Sequence, residues 1–386
     1  MIWKIMFFVS AFIIFWAMIG YPISIKILSK IYNNKTIEKN YGFLPTVTIM
    51  IVAHNEEKVI FEKLNNVIQL NYPKEKLKIL VSSDNSTDGT NEIVEKFISK
   101  NKNFNIKLYK VKSRKGKTNA QNEAQKIVDT DFLVMTDANS ILEKNSIKEL
   151  VSSFTSDNIK YVTGRLLYVN NDTSGTSRAE NNYWNNDLYI RDIESRIQTI
   201  TAGNGALYAC RNSDYFDTDL IRCHDTEMPL KYGLSGGKAI CNPDAIVYEK
   251  ASEIIEDEFK RKIRMNRGIL RLILPDIRLL NIFKYKWLSY FYFGHRTCRY
   301  LLWISHLILI ICNIIIMCES LFYITIFIGQ ILFYLLALIK IIKKSNNKFL
   351  NLIYYYCVTV AAQWVGVYNI IAGKAKPFWE KAESTR

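Results

Sequence analysis

The sequence contains no C-x-x-C pair, although it has seven cysteines. They are scattered, so they read as free thiols of a reducing compartment, and no spacing suits a structural zinc. No G-x-G-x-x-G follows the first strand pattern and no G-x-x-x-x-G-K-[ST] occurs, which argues against a dinucleotide dehydrogenase and a P-loop ATPase. Nor is there a basic tract interleaved with aromatics. The 51 Lys and Arg against 36 Asp and Glu give a net charge of +15, but many of the basic residues flank apolar runs. Nucleic acid is therefore not expected as a partner, and the charge suits anionic lipid or a phosphorylated substrate.

What is present in excess is apolar sequence at both ends. Ile5 to Ile27 is long enough to span a bilayer and is followed by Lys26, Lys30, Lys35 and Lys39; no small-residue cleavage site follows, so it reads as a retained anchor. The positive-inside bias then places everything after Lys30 in the cytoplasm. Leu301 to Met317 and Leu321 to Ile339 read as a returning pair of spans, with Lys340, Lys343, Lys344 and Lys348 behind them. Phe349 to Ile371 leaves two readings open. A full crossing would put Lys374, Lys376, Lys381 and Arg386 outside, whereas its Gln363, Asn369 and tyrosines suit a re-entrant or interfacial segment. Three or four spans are thus expected.

Between the apolar ends, Thr36 to Arg271 reads as a soluble mixture in which strand and helix alternate. Strands are expected at Val47 to Val52, Leu77 to Val81, Ile106 to Val111 and Phe132 to Met135, with helices at Glu56 to Leu70, Asn91 to Ser99 and Thr118 to Val128. This alternation predicts an α/β fold with a mostly parallel sheet and helices on both faces, which binds ligands at its strand ends. Further on, Ser177 to Arg196 reads as a helix, Gly203 to Arg211 as a glycine turn into a strand, and Cys223 to Lys231 as a helix start. Ala239 to Cys241 and Ala245 to Tyr248 read as short strands, and Glu256 to Leu272 as a basic helix carrying Arg261, Arg264 and Arg267. The expected organisation is an anchor over residues 1–30, a catalytic domain over 36–272, an interfacial segment over 273–299, a membrane region over 300–373 and a basic tail over 374–386.

The strand ends carry the chemistry. Asp137, in Thr136-Asp137-Ala138-Asn139-Ser140, is a hard oxygen ligand suited to Mg²⁺ or Mn²⁺, with the remaining ligands drawn from a diphosphate and water. The same tripeptide also occurs in turns and helix caps. Asp84 and Asp88, in Ser83-Asp84-Asn85-Ser86-Thr87-Asp88-Gly89-Thr90, could close an Asx-rich turn. Lys117 could be a solvated lysine, and Asp225 before Thr226-Glu227-Met228 a helix start. A basic stripe facing lipid headgroups would explain Arg261, Arg264 and Arg267.

In this order the motifs resemble a membrane-bound family 2 glycosyltransferase, of the group that includes cellulose, chitin, hyaluronan and poly-N-acetylglucosamine synthases. Asp84 resembles the first part of the family's D-D-G-S-x-D-G-T, whose carboxylate contacts the nucleotide base. Gly116-Lys117 is similar to the G-K before an A-L-N helix, Asp137-Ala138-Asn139 to the D-x-D metal motif, and Asp225 to the catalytic base of E-D-x-x-L. His224 stands where Glu is usual, and Asn139 replaces the second metal-motif Asp. The Q-x-x-R-W motif keeps only Arg264, because Met265 stands in place of the tryptophan that lies beside the acceptor sugar. That leaves processivity open.

The resemblance implies a GT-A-like domain and an inverting transfer, UDP-linked by expectation, from a nucleotide-sugar donor to a growing polysaccharide or lipid-linked acceptor. Asp225 and Arg264 would be catalytic, and Asp84, Lys117, Asp137 and Asn139 would bind the nucleotide sugar, Asp137 also holding Mg²⁺ or Mn²⁺. Gly203, Gly205 and Met265 would face substrate. The setting would be the inner membrane, with the lipid bilayer as a partner, an accessory membrane subunit as a further one, and the catalytic domain cytoplasmic. Two other readings stand beside it: a non-processive transferase adding one sugar to a lipid-linked oligosaccharide, and a catalytically silent scaffold.

Overall fold

The computed structural model describes residues 1–32, 36–170, 175–252, 254–266, 277–343, 347–375 and 378, with the backbone alone at 175–180, 182 and 183. It divides into an α/β unit, Tyr32–Asn170 with Trp184–Ala251, and a helical unit, Met1–Ile31 with Asn171–Tyr183 and Ser252–Ala375.

In the α/β unit the apolar runs become strands. β1 (Val47–Ala53), β2 (Leu77–Ser83), β3 (Asn105–Lys110) and β4 (Phe132–Asp137) alternate with α2 (Ile60–Ile68), α3 (Thr90–Lys100) and α4 (Lys117–Gln125). Then follow β5 (Ile141–Leu142), α5 (Ser146–Ser152), β6 (Ile159–Tyr168), α6 (Gly175–Ile197), β7 (Leu207–Arg211), α7 (His224–Leu234) and β8 (Lys238–Glu249). The strand order is β3-β2-β1-β4-β7-β6-β8-β5. β1 pairs in parallel with β2 and β4, and β2 with β3, while β7 runs antiparallel to β4 and β6.

Register determines what meets at the sheet edge. Ala53 lies opposite Ser83, Ser83 opposite Lys110 and Val52 opposite Asp137, so the carboxyl ends of four parallel strands are level. Because β7 is antiparallel, with Leu207 opposite Thr136, its amino end and the glycine turn before it arrive at that same edge. The sequence reading split the last strand in two. It is one strand, β8, whose pairing with β6 slips between Thr163/Cys241 and Arg165/Ile246, and this bulge accounts for the polar Asn242-Pro243-Asp244 within it.

Among the described residues the helical unit contains four helices long and apolar enough to cross a membrane: α1 (Ile2–Ile31), Leu302–Glu319, α10 (Leu321–Lys343) and α11 (Lys348–Ile371). The second comprises α9 (Leu302–Ile316) and a short 3₁₀ turn. α11 is continuous, and the polar residues that suggested a re-entrant segment are used within the unit. Gln363 accepts from the Trp303 N–H and donates to the Arg299 carbonyl, and the Tyr356 hydroxyl meets His306 Nε2 at 2.6 Å. The basic helix α8 is described over Ile255–Met265; its expected continuation to Leu272, with Arg267, lies outside the described residues, as do Lys35, Lys344 and the tail residues Lys376, Lys381 and Arg386. Arg261 is not a free member of a basic stripe, since it grips the fully buried Glu258 through two hydrogen bonds of 2.8 and 3.1 Å.

A π-helical turn at Trp16–Gly20 in α1 precedes Tyr21, whose ring packs directly on Gly294 in a second π-helical turn, Tyr292–Thr297. A Cβ at Gly294 would lie 2.1 Å from Tyr21 Cδ2. Gly294→Ala is therefore expected to destabilise this packing by about 1–3 kcal/mol. The loss should appear as a lower melting temperature of the detergent-solubilised protein, and Tyr21→Leu in the same chain should restore part of it.

Candidate active site

Three loops interlock at the level strand ends. The His54 Nδ1–H donates to the Asp84 carbonyl at 2.7 Å, the Thr87 N–H to Asn55 Oδ1 at 2.8 Å and the Gly89 N–H to Glu57 Oε2 at 2.9 Å. Asp88 closes the turn before α3, accepting from the Thr90 N–H at 3.0 Å and from the Glu57 N–H at 3.2 Å, which is a structural role. Asp84 is buried and spans loops. Its two oxygens accept the N–H groups of Lys115 at 3.1 Å and Gly116 at 2.9 Å, leaving about half of a carboxylate's acceptor capacity for another partner.

Lys117 opens α4 beside this loop. Its ammonium donates to Asp137 Oδ1 and, at 3.2 Å, to the Gly205 carbonyl. A Cβ on Gly205 would sit 3.2 Å from that ammonium and 3.7 Å from Asp225 Oδ2, so the second carboxylate belongs to the same cluster. Burial raises the Asp225 carboxyl above its ordinary value, with the Lys117 charge opposing the rise and the Asp137 charge adding to it. Burial pulls the Lys117 ammonium down, but the charge and hydrogen bond of Asp137, aided by Asp225, leave it above its ordinary value.

Asp225 owes its position to a proline. It lies in the first turn of α7, where Cys223 is the capping residue and no side chain caps the helix, so capping does not explain the carboxylate. Four residues later Pro229 has no N–H to give the Asp225 carbonyl. The Gly203 N–H takes that acceptor instead, at 2.6 Å. The space a side chain would occupy at Gly203 is filled by Tyr161, whose hydroxyl would lie 2.0 Å from a Cβ; of the two glycines, Gly205 faces the charged groups. Asn204 fastens the turn between them, donating to the Gly164 carbonyl at 2.6 Å and accepting from the N–H groups of Ala206 and Leu207.

His224 points into the core. The Tyr215 hydroxyl meets Asn122 Oδ1 at 2.8 Å and His224 Nε2 at 2.8 Å. Burial, with help from the Lys117 and Lys231 charges, lowers His224 to about 3, so the ring is neutral; its Nδ1–H donates to Gln121 Oε1 at 3.0 Å, which leaves Nε2 as the acceptor facing the Tyr215 hydroxyl. His224 thus orients the start of α7 and contributes no charge beside Asp225.

Asp84, Lys117, Asp137, Asn139, Gly203, Gly205 and Asp225 all belong to the α/β unit, and the structure joins Lys117, Asp137, Gly205 and Asp225 directly. Arg264 and Met265 lie at the end of α8 in the helical unit, Met265 47% exposed. Sequence reasoning missed Lys63, Asn204 and the partners of His224. Lys63 had a visible signal, since it shares the buried face of α2 with Ile60, Leu64 and Val67. Among the described residues no group of three or more His, Cys, Asp or Glu could hold a metal ion. The donor set at β4 is one carboxylate, Asp137, with a cation already against it, and a carboxamide two residues on. Such hard oxygens fit Mg²⁺ or Mn²⁺ when substrate oxygens complete the shell.

The fold is GT-A-like. Over 95% of this chain and 99% of the other, it is similar to the mannosyltransferase PcManGT from Pyrobaculum calidifontis, solved in complex with GDP-Man and Mn²⁺, with a TM-score of 0.71 and 20% identity. The model of glycosyl transferase family 2 matches residues 48–216, and the chain carries a family 2 glycosyltransferase domain. Poly-beta-1,6-N-acetyl-D-glucosamine synthase of Staphylococcus aureus (strain COL) is 25% identical over 250 residues, 63% of this chain and 59% of that protein's length. The probable glycosyltransferase YdaM of Bacillus subtilis (strain 168) is 34% identical over 134 residues, 34% of this chain and 32% of its own.

Pro229→Ala supplies the missing N–H, which would compete with Gly203 for the Asp225 carbonyl. The variant is expected to keep or raise its melting temperature while glycosyl transfer falls about 3- to 30-fold, because small displacements of a reacting group are costly. Steady-state rates beside thermal melting test this.

Proposed function

We propose that this cluster transfers a sugar from a nucleoside diphosphate, UDP-linked by preference, to a hydroxyl of a growing polysaccharide or lipid-linked glycan at the cytoplasmic face of the inner membrane. The observation that carries the reading is the Lys117 ammonium between Asp137 and the Gly205 carbonyl, with the Asp225 carboxylate beside it. A silent scaffold would need none of this. The polymer named for the staphylococcal relatives supports an N-acetylhexosamine as the sugar. Lys26 and Lys30 after the apolar part of α1, and Lys340 and Lys343 at the end of α10, support the membrane orientation.

In this reading Asp84 uses its spare acceptor capacity on the base or ribose. Lys117 and Arg264 take up diphosphate charge, Asn139 contacts the nucleotide sugar, and Asp137 would hold Mg²⁺ or Mn²⁺. Bound there, the ion supplies Lewis-acid stabilisation of the leaving diphosphate. Asp225 accepts the proton of the acceptor hydroxyl as its oxygen bonds to the anomeric carbon and the carbon–phosphate-oxygen bond breaks; one displacement inverts the anomeric centre. Gly205 lets the acceptor approach the backbone. Met265 packs a sugar face, and its presence where the synthases carry tryptophan favours addition of one or a few sugars, which product length decides.

The test is nucleotide release by the detergent-purified protein from a panel of UDP- and GDP-sugars, with and without Mg²⁺ or Mn²⁺ and with membrane lipids as acceptors. Metal-dependent release from one donor, abolished in Asp225→Asn, is expected. Silence across the panel from folded protein would favour the scaffold.

The raised Asp225 carboxyl has a definite sign in kinetics. The base works ionised, so kcat/KM should fall as pH drops through a value above that of an ordinary aspartate, and Lys117→Met, which removes the opposing cation, should move this acid limb to higher pH. A limb moving to lower pH in that variant would contradict the arrangement.

A further inference from the structure

Lys63 is the one charged member of a helix face otherwise made of Ile60, Leu64 and Val67, and it is fully buried. Its ammonium makes three hydrogen bonds: to Thr136 Oγ1 at 2.8 Å, to the Ser140 carbonyl at 2.7 Å and to Ser140 Oγ at 3.1 Å. Thr136 is the residue before Asp137, and Ser140 the residue after Asn139. The ammonium therefore bridges the two ends of the turn that carries the metal motif and binds neither motif side chain. The turn is closed from within as well, since the Thr136 and Ser140 hydroxyls meet at 2.9 Å and Ser140 Oγ donates to the Asp137 carbonyl at 2.8 Å.

Packing alone does not explain a lysine here. Desolvating an ammonium costs several kcal/mol, and an apolar side chain of similar volume on this face would avoid it. Burial brings Lys63 down to about 7 against the opposing charges of Asp137 and Glu249. A residue held at such a cost, with all its bonds directed at one turn, points to a task at that turn.

We propose that Lys63 is a positioning residue of the transferase, clamping Thr136 to Ser140 so that Asp137 and Asn139 are presented in a fixed direction to a divalent cation and its nucleoside diphosphate. This rests on the proposed nucleotide-sugar reading and adds to it a residue that acts on the metal motif from behind, through hydrogen bonds to the turn.

The experiment is Mn²⁺ binding to the detergent-purified full chain, read by electron paramagnetic resonance with UDP or GDP present, for wild type and Lys63→Met. Nucleotide affinity without metal and the melting temperature are measured alongside. The variant is expected to lose about 10- to 100-fold in Mn²⁺ affinity, as changes to partners of metal ligands do. Metal-free nucleotide affinity and melting temperature should stay at or above wild type, a separation that a merely structural lysine would not produce. Ser140→Ala, which keeps the backbone acceptor, should show a smaller loss of the same kind and decides the matter if Lys63→Met does not fold. Wild-type Mn²⁺ affinity in the folded variants overturns the role of Lys63, as does a parallel loss of metal-free nucleotide binding. Failure of the wild-type protein to bind Mn²⁺ with either nucleotide overturns the metal-dependent reading, and this inference with it.

Discussion

Two half-buried carboxylates, Asp137 and Asp225, are drawn together at one sheet edge, and one ammonium keeps them compatible. Like charges at short range push one carboxyl toward its neutral form; burial and the charge of Asp137 act on Asp225 in that direction. Lys117 opposes them, and its bonds to Asp137 and to the Gly205 carbonyl tie the end of β4 to the turn before β7. The ionisation of Asp225 and the placing of the glycine turn both depend on that cation.

The backbone supplies the rest by register. Level parallel strands deliver Asp84 and Asp137 to one edge, and the antiparallel β7 brings the glycine turn to the same place. Pro229 then frees the Asp225 carbonyl for the Gly203 N–H, so a missing donor in one helix becomes the link between Asp225 and the turn. Neutral His224 holds the helix start through Tyr215 and Gln121 without adding charge to the cluster.

Much of this was legible in the sequence. Apolar runs of strand length alternating with amphipathic helices identified β1 to β4, and the motif resemblance singled out Asp84, Lys117, Asp137 and Asp225 as candidates, of which the structure joins the last three. The union of Lys117 with Asp137 and Gly205 was not legible, because it comes from pairing β7 against β4 across about seventy residues of intervening chain. The split of β8 failed for a local reason: Asn242-Pro243-Asp244 reads as a turn, and only the facing strand shows that it is a bulge. The partners of Gln363 and Tyr356 in α11 were likewise not legible, because they lie on other helices of the same unit. Lys63 lay in plain view on an apolar stripe, but its partners are 73 and 77 residues away.

The most direct measurement is a structure of the detergent-solubilised protein with UDP and Mn²⁺. The expected result is a diphosphate and metal at Asp137 with the Lys117 ammonium turned from that carboxylate onto phosphate oxygens, and the uracil or ribose against Asp84. Nucleotide bound elsewhere, with the Lys117–Asp137 pair intact, would contradict the assignment of this edge as the sugar-transfer site.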